Sequence, residues 1–161
     1  MRSGNAPAVL VFLALGLALT FAPRRAWVAN VLALCAMLAV FVWLPVPPAW
    51  LDAAFFGSWI SVIVMAAAVH LRRGVSARLA LALSLNAGVW AGAAASVSDS
   101  RLAVLKVLPS VLIFFPGWWV TARFGSIPIK VVSSWIIAIA VLAGTLQLLP
   151  VTPGYLPDHL E

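Results

Sequence analysis

The chain has 161 residues, 65% of them hydrophobic and 9% charged, against roughly 25% charged residues in an ordinary soluble domain. A water-soluble fold needs a polar face on nearly every element, so this composition excludes a soluble enzyme, a soluble binding domain and a disordered tail. The net charge of +6 does not point to nucleic acid, because the ten basic residues are scattered between apolar runs instead of gathered on a solvated surface.

What remains is an all-α integral membrane protein, whose first partner is the lipid bilayer. A spanning helix needs about 20 mostly apolar residues. Six runs qualify, at 6–22, 27–46, 51–71, 79–97, 104–122 and 131–149, followed by an outer tail at 150–161. They do not alternate as the strands of a membrane barrel would. The connections are short and hold helix breakers: Pro23, the proline-rich stretch 45–48, Gly74, the segment 98–100 and Gly125. The expectation is one compact six-helix domain.

The first run begins after Arg2 and ends at Thr20-Phe21-Ala22, which also fits a signal peptide with a small-residue cleavage site. Cleavage there would export Arg24 and Arg25, against the charge rule, so a retained span is expected. The second run carries Cys35, a lone cysteine expected to act as a small buried apolar residue, and Asn30 near its start. It leaves through 44–52, which aligns with 149–158 as Leu-Pro-Val-x-Pro-small-aromatic-Leu-Asp, once one proline is inserted. Proline sets an extended exit, the aromatic suits the headgroup level, and the aspartate meets water. Pro48, Trp50 and Asp52, with Pro153, Tyr155 and Asp158, are therefore either a repeated anchor or a paired outer docking surface. The third run ends at His70 beside Arg72 and Arg73, where a solvated helix end is expected.

The fourth run has the most specific pattern. Ser76, Ala80, Ser84, Gly88, Gly92 and Ser96 recur every four residues and so share one helix face. Gly88 and Gly92 form a GxxxG motif that lets another backbone approach closely, within the monomer or between protomers. Asn86, the amide nearest the middle of any run, needs hydrogen-bond partners there. It is either interhelical glue or a polar step in a path with Trp90, one turn away, and Pro116. In the fifth run Pro116-Gly117 falls in the middle and predicts a kink. Kinks of this kind occur at transporter binding sites. Gln147, near the end of the sixth run, is a weaker candidate than Asn86.

Orientation follows from Lys and Arg. The connections after runs one, three and five hold Arg24, Arg25, Arg72, Arg73, Arg78, Arg123 and Lys130, with no acid. The opposite side holds Arg2, Arg101, Lys106 and all four acids. This places the basic side in the cytoplasm and both termini on the periplasmic side of a bacterial inner membrane. Aromatics such as Phe55, Phe56 and Trp59 would then mark the outer interface, and Trp27, Trp118 and Trp119 the inner one.

No metal-binding or nucleophile motif is present, and no acid or histidine lies mid-run as a proton-coupled carrier would need. The expectation is therefore no catalytic residue, no metal and no cofactor. Three functions stay open. The first is a non-enzymatic subunit packed against other membrane subunits or its own copies. The second is a small oligomeric permease or channel, and the third is a membrane-embedded enzyme. The packing stripe and minimal loops favour the first.

Overall fold

Long runs of Ala, Leu and Val lack side chains that compete for backbone hydrogen bonds, so the backbone satisfies itself by coiling. The computed structural model describes residues 6–44, 47–97 and 108–146. Among these the fold is all-α, with six helices: α1 Ala6–Thr20, α2 Trp27–Trp43, α3 Leu51–Ala68, α4 Ala77–Val97, α5 Phe114–Phe124 and α6 Ile127–Leu146. Short 3-10 turns at Arg24–Ala26, Pro48–Trp50 and Leu108–Ile113 lead into α2, α3 and α5. Two connections depend on glycine backbone freedom. Gly74 and Gly125 adopt φ of 70° and 79°, which side chains disfavour.

α1 is the central helix. From Val11 to Thr20 every residue except Leu13 is buried, and the helix packs against α3, α4, α5, α6 and the 3-10 turn before α5. Phe12, Leu15 and Leu19 are among the largest fully enclosed side chains. The most extensive helix pair is α2 with α4. These two run parallel: Gly88 faces Leu34 and Met37, and one turn on, Gly92 faces Phe41.

The connections after α1, α3 and α5 meet at one end. The Val75 N–H donates to the Phe21 carbonyl at 3.3 Å, the Arg24 guanidinium lies 3.7 Å over the Trp118 ring, and His70 reaches α6. The seven cations of these connections share that end. Asp52, the one carboxylate among the described residues, lies in the first turn of α3. An acid there complements the positive end of the helix dipole.

Around an apolar core, large apolar side chains also cover much of the surface, and a few polar ones are inside. On α6 the buried face is Ile129, Ser133, Ile136 and Ala140, while Trp135 is 71% exposed beside Ile139 and Leu142. Val28 and Leu32 on α2 and Ile60 on α3 are likewise exposed, while Asn30, Ser58, Ser61 and Ser84 are inside. By length and composition, two helical segments could cross a membrane, Arg24–Phe41 and Ile127–Leu146; Ala8–Thr20 and Asp52–Ala68 are apolar but shorter.

The fifth run departs from expectation. Residues 98–107 lie outside the described residues, and 108–113 form the 3-10 turn, so α5 begins only at Phe114. Its 11 residues reach about 16 Å at the helical rise per residue. Pro116 therefore sits in the first helical turn, where the N–H it lacks would have had no helical partner. It sits just after the change from 3-10 to α-helix and not in the middle of a continuous α-helix. Trp59 also differs: it is buried and packs edge-on against Phe55, so it belongs to the interior of α3 and not to an aromatic belt. Cys35 is half-buried.

Candidate functional site

α3 and α4 cross with small residues at their contact. A Cβ on Gly57 would run into the Trp90 ring, so the indole lies directly on the α3 backbone. Above this contact opens a groove of about 470 Å³. Phe56, Ile60, Ser61 and Val64 line it from α3, and Leu83, Asn86 and Trp90 from α4.

The polar groups on its floor are ordered by the indole. Trp90 Nε1 can only donate, and it lies 3.1 Å from Asn86 Oδ1. That contact fixes the amide orientation, and Asn86 Nδ2 then donates to Ser61 Oγ. Ser58, one turn earlier on α3, behaves differently: its hydroxyl donates back to the Ala54 carbonyl at 2.7 Å. The Ser61 oxygen instead serves as acceptor for the neighbouring helix, which ties α3 to α4 at mid-helix.

The small-residue stripe of α4 faces α2. A Cβ on Gly88 would lie 2.5 Å from Met37 Cβ, and one on Gly92 would lie 2.7 Å from Phe41 Cβ. Ser84 is fully buried, and Ser96 donates to the Ala93 carbonyl at 2.9 Å. The stripe is thus an intramolecular seam. Asn30, a weaker candidate than Asn86 because it lies nearer a run end, is only 1% exposed. Its Nδ2, Ser84 Oγ and Trp59 Nε1 are buried without a hydrogen-bond partner among the described residues. At the basic end His70 Nε2 lies 3.0 Å from Ser133 Oγ and 3.4 Å from Ser134 Oγ. The imidazole, though exposed, is therefore tied to α6 and is not simply a solvated helix end.

Of the residues singled out for a polar path, Asn86 and Trp90 come together, but Pro116 is on α5 and does not line the groove. Of the docking residues, Trp50 is exposed beside Asp52 at the start of α3. Pro48 opens the preceding 3-10 turn. Pro153, Tyr155 and Asp158 lie outside the described residues. Among the described residues no group of three His, Cys, Asp or Glu side chains could hold a metal. Comparison with protein-family models, curated proteins and solved structures finds no match in any of the three.

Removing the Asn86 side chain leaves the Trp90 N–H and the Ser61 hydroxyl without partners. We expect Asn86→Ala to lower stability by about 0.5–1.5 kcal/mol, the usual net worth of an intramolecular hydrogen bond. Thermal unfolding of parent and variant in the same detergent measures it.

Proposed function

We propose that this chain is an integral protein of a bacterial inner membrane, with the basic end in the cytoplasm and both termini in the periplasm. We propose further that it is a non-enzymatic subunit of a larger membrane assembly. One observation carries the reading: the bundle buries Asn30, Ser61, Ser84 and Ser133 while exposing Val28, Leu32, Ile60, Trp135 and Leu142. In water that arrangement would promote aggregation; in lipid it keeps polar side chains within the protein and turns hydrocarbon outward.

The subunit role is supported by where the polar groups lie. Asn86–Ser61–Trp90 sits between α3 and α4, Asn30 and Ser84 on α2 and α4, and His70–Ser133 between α3 and α6. A permease needs such groups aligned along one path, and here they serve separate helix seams. The seven-cation end supplies a surface for anionic headgroups or for an acidic partner.

Extraction in a mild detergent, followed by sizing with mass measurement, tests the role. The expected result is stoichiometric co-purification with other membrane subunits. A homo-oligomer alone, showing a solute flux in liposomes that Asn86→Ala abolishes without loss of stability, would replace the subunit with a permease.

A further inference from the structure

The groove between α3 and α4 holds more hydrogen-bond donors than the described residues use. With its oxygen taken by Trp90 and one N–H by Ser61, the Asn86 amide retains a second N–H. Ser61 Oγ accepts from Asn86 and, unlike Ser58, gives its own hydrogen to no carbonyl among the described residues. Both residues line a groove whose other walls are mainly carbon. A ligand complementary to this lining is largely apolar and offers an acceptor.

Size limits it further. The α3 wall from Ala53 to Val64 is about 16 Å long at the helical rise. The groove offers about 470 Å³, within the usual range of roughly 300–1,000 Å³ for small-molecule sites. That is room for a slender small molecule lying along α3. The donors lie mid-helix on both walls, Ser61 within Leu51–Ala68 and Asn86 within Ala77–Val97. In a hydrocarbon layer about 30 Å thick, that depth is far from the ester carbonyls of phospholipids. Trp90 and Phe56 also line the groove, and aromatic side chains favour a ring as neighbour.

We propose that this groove binds a membrane-soluble quinone, with a ring carbonyl accepting from Ser61 and Asn86 and the tail lying along α3. The proposal rests on the membrane-embedded reading above.

The test uses the full chain in lipid nanodiscs, titrated with a decyl-substituted benzoquinone and followed by tryptophan quenching and calorimetry. Decylbenzene, with the same tail and no carbonyl, is the control, and a decanoyl ester is the competitor. The parent should bind the quinone saturably and more tightly than decylbenzene. Asn86→Leu should weaken it about tenfold and Ser61→Ala about threefold, as expected for losing one or two modest hydrogen bonds. Neither change should alter decylbenzene binding. If Asn86→Leu does not fold, Ser61→Ala and the parent titration decide the matter. Equal binding of quinone and decylbenzene, no saturable quinone binding, or equal displacement by the ester would each overturn the proposal. Alkaline extraction of native membranes separates the two levels. Release of the chain would refute embedding, whereas a retained chain that binds no quinone would refute the site alone.

Discussion

Gly88→Leu and Gly92→Leu should each prevent normal accumulation of the folded protein. At both positions even a methyl group meets side-chain carbon of α2 well inside contact distance: Met37 Cβ at 2.5 Å and Phe41 Cβ at 2.7 Å. The Leu34 backbone carbonyl, 3.2 Å from the Gly88 position, leaves little room to shift. Overpacking a well-filled core usually costs about 1–3 kcal/mol, and here it would separate the most extensive helix pair in the bundle. Val89→Leu, one position off the seam on a half-buried site, should accumulate as the parent does. Fluorescence-detected sizing of tagged variants from membranes measures this. Normal profiles for both leucine variants would mean that the stripe does not hold α2.

Phe12→Ala should have an effect of similar size for the opposite reason. Phe12 is fully enclosed on the central helix, and α1 packs against α3, α4, α5, α6 and the turn before α5. Truncation leaves a cavity that surrounding helices fill poorly, and Phe→Ala in cores costs about 3–5 kcal/mol. In lipid the transfer part shrinks, because exposed side chains also meet hydrocarbon, but the lost packing contacts remain. Thermal unfolding in detergent should show Phe12→Ala as the less stable by a wide margin when compared with Val28→Ala, whose side chain is 71% exposed on α2. Equal effects would contradict the central place of α1.

Much of this architecture is legible from spacing. The four-residue recurrence from Ser76 to Ser96 is enough to place a packing face on α4, because helical periodicity fixes which residues share a side. Asn86 stands out as an amide surrounded by apolar residues. Its partner does not, since α3 offers Ser58 and Ser61 three residues apart. Only tertiary packing decides that Ser58 turns back to Ala54 while Ser61 meets Asn86. The central position of α1 is hidden as well, because a helix apolar on every side carries no pattern that says which way is in. Pro116 reads as mid-helix only if α-helix runs continuously from 104; the 3-10 segment over Leu108–Ile113 places it in the first α-turn after the change of helix type. Trp59 lies only two residues from Ser61, near the middle of the third run, so an aromatic side chain there does not by itself mark an interface; its face of α3 turns inward beside Phe55.

Whether the bundle lies in a membrane with its basic end in the cytoplasm is tested most directly by single-cysteine labelling. With Cys35 changed to alanine, Ala49→Cys and Ala77→Cys place reporters at exposed positions on opposite ends of the bundle. An impermeant maleimide applied to intact cells should label Ala49→Cys at once, and Ala77→Cys only after the membrane is opened. Labelling of Ala77→Cys in intact cells with protection of Ala49→Cys would invert the orientation. Recovery of both variants in the soluble fraction, labelled equally, would contradict the membrane bundle itself.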